Sequence, residues 1–326
     1  MGHSPGVSLE LSTDPEDDGR RLEVVLRRQV ERATGLPLSK AEARRLLGEG
    51  RALLNGRVVR RASHRVEAGQ TLSVDLRREA LEARQEERRA RVALGPEALL
   101  LERGALLAID KPAGLPSHPT PDPARDSAVQ AAGRLLAAAG EPPVPLWLCH
   151  RLDAATSGVL LLARDAETAR AMGEAFAARR VEKRYDALVH VERAQPPDAW
   201  TVEGYLATRG GQSASVHSGG APTRTDFLIR ERLAAAAHVE ARPHTGRTHQ
   251  IRVHLAEGGT PILGDRRYGA GETDGAERLM LHARALRFED PRSAEHIEVE
   301  ASMPAEMQRC ILTRRTRPPD PGPPRS

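Results

Sequence analysis

Leu22, Val25, Leu26 and Val30 recur at the spacing of one helical face. They follow a polar, acidic stretch up to about Gly19 that reads as a flexible lead. A second helix is predicted from Leu38-Ser39-Lys40 onward, with Ser39 as its N-cap, Glu42 completing a capping box, and Gly48 and Gly50 ending it. Ala52-Leu53-Leu54 is predicted to be a short strand that returns through Val58-Val59. Asn55-Gly56 forms the turn between them, because a type I′ hairpin needs positive φ at both central residues. Another strand pair is expected around Arg65-Val66 and Thr71 to Val74, with Gly69 between them.

After a run of mixed charges from Arg78 to Arg91, which reads as a solvated helical linker, the pattern changes to apolar strands alternating with Ala-rich helices. Strands are predicted at Ala105 to Ile109 and Val159 to Leu162. Helices are predicted from Ser127 to Ala139 and from the cap Asp165 to Ala178. Thr225 to Ile229 and Ala237 to Ala241 read as paired strands. Thr248 is the expected cap of a helix from His249 to Ala256, closed by Gly258-Gly259. The fold class implied is α+β with a mixed, largely antiparallel sheet. The tail from Thr313 to Ser326, rich in Pro and Arg, is expected to be disordered.

Composition narrows the setting. Hydrophobic residues are 39% of the 326, mean hydropathy is −0.48, and no run of 18 or more apolar residues is present, so a membrane span is not expected. Cys149 and Cys310 are too few for a disulfide framework or a multi-cysteine zinc site, and a cytoplasmic setting is the simplest. The formal charge is only +4, but residues 20 to 79 hold 15 Lys+Arg against 7 Asp+Glu, so the basic excess lies at the front of the chain. Such a concentration suits a polyanion, and equally a plain solvated surface. Only three of the 49 basic residues are lysines, namely Lys40, Lys111 and Lys183, so individual arginines carry little information.

Three segments carry candidate chemistry. His150-Arg151-Leu152-Asp153-Ala154-Ala155-Thr156-Ser157-Gly158 runs into an apolar strand. Its Asp153 reads first as a turn residue, although a carboxylate beside a buried strand also suits a catalytic acid or nucleophile. Ser157 lacks the Gly-x-Ser-x-Gly frame of a hydrolase nucleophile. In Lys183-Arg184-Tyr185-Asp186-Ala187, Tyr185 alternates with Ala187 and Val189 and faces the buried side of a strand, as a core tyrosine would. In His244-Thr245-Gly246-Arg247-Thr248-His249-Gln250-Ile251-Arg252-Val253-His254 the histidines lie five apart, about 140° from one another on a helix, which argues against a metal site. Arg252 by itself reads as a surface arginine, or as the holder of a buried carboxylate.

Together and in this order, the segments resemble the motifs of the RluA-type pseudouridine synthases. Asp110-Lys111-Pro112-Ala113-Gly114 through Pro119, Pro261 to Tyr268, and Leu281-His282-Ala283 are similar family text. The resemblance covers residues 98 to 312. Residues 20 to 77 resemble an S4-like RNA-binding domain, which implies phosphate contacts by Lys40, Arg44, Arg45 and Arg51. The expected division is a lead over 1–19, the S4-like domain over 20–77, a charged linker over 78–97, the catalytic domain over 98–312 and a tail over 313–326.

The resemblance implies an isomerase that detaches uracil from its ribose, turns it and rejoins it through carbon 5. Asp153 would act at the sugar, either attacking the anomeric carbon or removing a neighbouring proton. Arg252 would pair with Asp153. Tyr185 would pack on the uracil and serve as the base at carbon 5. Arg151 would enter the stack vacated by the flipped nucleotide. No cofactor or metal is implied. The expected partner is RNA, ribosomal before transfer RNA, with a non-catalytic ribosome-assembly role as the competing reading. No membrane and no obligate protein partner is expected, and the chain is expected to be a monomer.

Overall fold

A computed structural model describes residues 7–35, 38–76, 91–120, 125–191, 196–269 and 275–315, which divide into two compact units. The first is made of residues 1–91 with the short piece 122–125. Its helices are α1 (Leu22–Thr34) and α2 (Lys40–Gly48), and its strands are β1 (Val7–Ser12), β2 (Ala52–Leu54), β3 (Arg57–Val58) and β4 (Thr71–Leu76). The sheet order is β1-β4-β2-β3. Leu22, Val25, Leu26 and Val30 of α1 are buried with Leu46, Leu47, Leu72 and Val74 in one apolar core. Ser39 and Glu42 form the predicted capping box, and Asn55 and Gly56 take φ of 50° and 74° in the predicted turn.

Two expectations here are corrected. The lead is not flexible from Val7 onward. Val7–Ser12 alternates apolar and polar residues and pairs antiparallel with β4, while Asp14 and Asp17 accept hydrogen bonds from the Arg28 and Gln29 side chains. That strand also takes the place beside Thr71–Leu76 expected for Arg65-Val66, where only an isolated bridge between Arg21 and Arg65 forms. The predicted linker helix falls largely on residues 77–90, outside the described residues.

The second unit is built on one large sheet. Its strands are β5 (Leu99–Arg103), β6 (Leu106–Lys111), β7 (Trp147–Leu148), β8 (Ser157–Ala163), β9 (Glu182–His190), β10 (Ala199–Arg209), β11 (Gln212–Ser215), β12 (Ala221–Leu233), β13 (Ala236–Pro243), β14 (Leu281–Glu289) and β15 (His296–Glu300). The order is β11-β10-β12-β13-β9-β14-β8-β6-β5, with β15 on β14 and β7 on β8. The pairings are antiparallel except that of β14 with β8, so the sheet is mixed and largely antiparallel as expected. The helices are α3 (Ala128–Ala138), α4 (Ala166–Ala177), α5 (Gln250–Glu257) and α6 (Ala305–Arg315). Ser127 and Asp165 cap α3 and α4 through their side chains. The tail expected from Thr313 is still helical to Arg315, where Met307 and Ile311 anchor α6 in the core. Residues 316–326 lie outside the described residues.

The parallel pairing places the candidate loop. It joins His282 to Ser157 and Ala283 to Gly158. Gly158 has φ of 113°, and a Cβ there would lie 2.2 Å from the Ala283 carbonyl oxygen, so only glycine fits. Ser157 Oγ meets His282 Nδ1 at 3.0 Å alongside. Replacing Gly158 with Ala should lower stability by about 3 kcal/mol. A Gly158→Ala protein melting within a degree of wild type, with undiminished activity, would show that this close approach is dispensable.

Candidate active site

Asp153 sits in the loop before β8, and its neighbours are stitched down by backbone and side-chain bonds. Ser117 Oγ accepts from Leu152 N–H (3.0 Å) and donates to the Leu152 carbonyl (2.7 Å). Gly114 N–H donates to the Ala154 carbonyl at 2.7 Å, and Thr156 N–H donates to that of Asp153 at 3.0 Å. The fully buried Lys111 ammonium donates to the carbonyls of Pro112, Leu115 and Ala154 at 2.8, 2.8 and 3.2 Å. Burial pulls the Lys111 pKa down to about 7, against the pull of the Asp153 carboxylate. The Asp110 to His118 segment thus serves as the bed of the Asp153 loop.

α5 supplies the counter-charge. Arg252 is buried, correcting the surface reading of the residue taken alone. Its Nε and Nη2 donate to Asp265 at 2.8 and 2.7 Å, and its Nη1 lies 3.7 Å from Asp153 Oδ2. Burial works against the charge on each partner of the Arg252–Asp265 pair. Their mutual bond outweighs it, so Arg252 stays above its ordinary pKa and Asp265 below its own. Asp265 Oδ1 also accepts from the backbone N–H groups of Arg267 and Tyr268. The expected pairing of Arg252 with Asp153 is therefore the looser of two contacts. Asp265, 13 residues beyond Arg252, is its firm partner and was not singled out in the sequence.

A cavity of about 360 Å³ opens over these groups, lined by Arg151, Asp153, Lys183, Tyr185, His249 and Arg252 among others. Tyr185 is half-buried on β9, opposite Ala283 of β14 and Ala241 of β13, and it packs against the apolar core while presenting a surface to the cavity. Burial, and then the nearby Asp153 carboxylate, push its phenol well above the usual pKa. Arg151 is exposed at the cavity rim. Lys183 donates to the Thr245 carbonyl at 3.0 Å, and burial brings its pKa to about 8. His150 also lines the cavity, but its ring is held by structural contacts. Its Nε2 accepts from Leu161 N–H at 3.0 Å, its ring packs on Phe176, and burial pulls its pKa to about 3.

The Thr245-to-Gln250 turn is closed by the Gln250 side chain, whose Oε1 accepts from Thr245 Oγ1 and Arg247 N–H. Gln250 Nε2 donates to the Arg224 carbonyl and to Thr225 Oγ1. The cap of α5 is His249, not the expected Thr248.

The basic residues expected to meet RNA in the first unit are each near a carboxylate. Lys40 and Arg44 lie on the buried Glu23, Arg45 lies 3.6 Å from Glu49, and Arg51 lies 3.2 Å from Asp75.

A profile of RNA pseudouridylate synthases matches residues 105–257, which contain this cavity's carboxylate, tyrosine and arginine. The chain is 33% identical to ribosomal large subunit pseudouridine synthase C of Escherichia coli (strain K12) over 328 residues, covering 94% of this chain and 97% of that one. The chain belongs to the RNA pseudouridylate synthase family. Its relative in Yersinia pestis, also a ribosomal large subunit pseudouridine synthase C, is 41% identical over 182 residues, 52% of this chain and 56% of that one. Among solved structures, human RNA pseudouridylate synthase domain containing 4 superposes with a TM-score of 0.56 at 28% identity, covering 68% of this chain and 95% of that one. The family makes this chain an enzyme that isomerises uridine in RNA to pseudouridine.

Asp265→Asn should leave the Arg252 charge buried without its carboxylate and destabilise the protein by about 3 kcal/mol. In wild type the Asp265 contribution is complete above the ordinary aspartate value of 3.8 and fades as pH falls below it towards the lowered folded value. Thermal melts of both proteins between neutral and acidic pH test this. A variant with the same melting temperature and the same acid limb as wild type would refute it.

Proposed function

We propose that the enzyme converts uridine in large-subunit ribosomal RNA, with Asp153 as the carboxylate acting at the ribose. The observation that carries this reading is the convergence of Asp153, Tyr185 and Arg252 on one cavity, although they lie on separate parts of the chain. Relatives that match nearly the full chain are named for the large ribosomal subunit, which favours that RNA over transfer RNA. A binding-only assembly protein would have no need of a charge-compensated carboxylate beneath a cavity.

In this reading Arg252 is held by Asp265 with one Nη left towards Asp153, so it offers a fixed positive charge without closing a tight pair that substrate would have to break. Tyr185 packs against the uracil. Its raised pKa keeps the phenol protonated near neutral pH, which favours the packing role over that of a base at carbon 5. Arg151, exposed at the rim, enters the space left by the flipped nucleotide, whose extrusion costs a few kcal/mol. The first unit acts as an S4-like RNA-binding domain. Because Lys40, Arg44, Arg45 and Arg51 are partly neutralised, its attraction for phosphate rests on the whole local excess of basic residues and not on these four alone. The reaction is assigned to a monomer in the cytoplasm, and no helix among the described residues is long and apolar enough to cross a membrane.

Tritium release from large-subunit ribosomal RNA labelled at uracil carbon 5 tests the assignment. Wild type should release label, and Asp153→Asn should bind the RNA without turnover. Turnover by the variant at the wild-type rate would remove Asp153 from the chemistry. Release only from transfer RNA would move the substrate class. Arg151→Ala should slow turnover on structured RNA by about tenfold and spare a single-stranded substrate. An equal loss on both would count against a flipping role.

A further inference from the structure

His249 stands out on geometry. It is not glycine, yet it takes φ of 58° and ψ of 19° at the head of α5, a left-handed conformation costing about 1 kcal/mol. Its side chain is only 10% exposed, and its Nε2 lies 3.7 Å from Asp153 Oδ2. On the other side of the ring, Nδ1 lies 2.8 Å from the Tyr268 hydroxyl. That hydroxyl also takes the Ser213 backbone N–H, at 2.9 Å.

The protons can be placed from these contacts. An amide N–H can only donate, so Tyr268 oxygen is an acceptor for Ser213. Its own proton then needs an acceptor, and among the described residues His249 Nδ1 is the one within reach. With the Tyr268 hydroxyl donating to Nδ1, the imidazole proton lies on Nε2, facing Asp153, and the relay requires this tautomer. Tyr268 is itself fixed. The Arg252 guanidinium lies over its ring, 5.1 Å from the centroid, and its N–H donates to Asp265.

We propose that His249 is a positioning residue for Asp153, a neutral imidazole whose Nε2–H is aimed at the carboxylate by a Ser213–Tyr268–His249 relay from the β10–β11 hairpin. It offers a donor to Asp153 Oδ2, the same oxygen that Arg252 faces and at the same 3.7 Å, so that a short approach of the carboxylate closes this bond as the ribose is engaged. The proposal rests on Asp153 being the carboxylate that acts. The groups facing the imidazole are Asp153 from the loop before β8, Arg252 from α5, and Arg267, Asp265 and Tyr268 from the turn after β13 and α5. Burial, then Arg252 and Arg267, hold its pKa below the ordinary histidine value against the pull of Asp153 and Asp265.

Two substitutions separate orientation from mere packing. Asparagine tolerates the left-handed backbone and can keep the Tyr268 contact, but it has no donor at the Nε2 position. Glutamine places an amide N–H near that position. With tritiated large-subunit ribosomal RNA transcript in single-turnover assays, His249→Asn should lower the maximal rate by about 10- to 100-fold while half-saturation by RNA moves less than about threefold. His249→Gln should recover most of that loss. Tyr268→Phe keeps the ring over Arg252 but removes the donor to Nδ1, so the imidazole takes a second proton more readily. As a cation it ties up the Asp153 carboxylate in an ion pair that the ribose must break. The acid limb of its rate–pH profile should move to higher pH.

A wild-type rate in His249→Asn would overturn the proposal. So would losses in His249→Gln as large as those in His249→Asn, or a rate–pH profile in Tyr268→Phe that coincides with wild type. Melting temperatures exclude unfolding as the cause, and if His249→Asn does not fold, the Tyr268→Phe profile decides. Asp153→Asn runs in parallel. Its turnover would defeat the assignment of Asp153, whereas an inactive Asp153→Asn with a wild-type His249→Asn would defeat only the role of the histidine.

Discussion

A guanidinium taken out of water costs several kcal/mol unless a carboxylate meets it with good geometry, and the Arg252–Asp265 pair is where this fold meets that demand. Much of the active site follows from it. Asp265 spends its remaining acceptor capacity on the amides of Arg267 and Tyr268, which shapes the turn that carries Tyr268. Tyr268 then lies under the guanidinium and beside His249. The third guanidinium nitrogen is left pointing to Asp153 at a distance too long for a firm bond. The result is a positive charge held rigidly by one carboxylate and lent to another, so that the second stays free to meet substrate.

The complementary constraint acts on Asp153 from below. Its loop has no regular structure to stiffen it, and the backbone around it is held by Ser117, Gly114 and Lys111 from a single preceding segment. Lys111 uses all three of its protons on carbonyls. One side of the site is therefore fixed by backbone stitching and the other by a buried ion pair, and the cavity lies between them.

Much of this was legible in the sequence where the controlling contacts are local. Ser39 with Glu42, Asp165 and the Asn55-Gly56 turn act within a few residues, and each appears where the sequence places it. The family motifs located Asp153, Tyr185 and Arg252, and the structure puts all three on one cavity. What escaped was non-local. Val7, Leu9 and Leu11 alternate as a strand should, but the acidic residues that follow them masked the signal, and the partner Thr71–Leu76 is remote. Nothing in the residues near Arg252 says that Asp265 is its partner, because that choice is made by how α5 packs. Nor could the left-handed backbone of His249 be read from a segment that otherwise looks like the start of a helix.

The pairing of β14 with β8 has a consequence for how the enzyme comes into being. Ser157 and His282 touch across 125 positions of chain, and Gly158 is seated against Ala283. As the protein emerges from the ribosome, the loop bearing Asp153 appears well before the strand that anchors it. Contacts this distant in sequence form late and slowly. A nascent chain that has already acquired its carboxylate, tyrosine and arginine therefore still lacks the wall that sets the carboxylate in place. Competence is withheld until β14 has been made, and a fragment released before it would carry Asp153, Tyr185 and Arg252 without the geometry that gives them force.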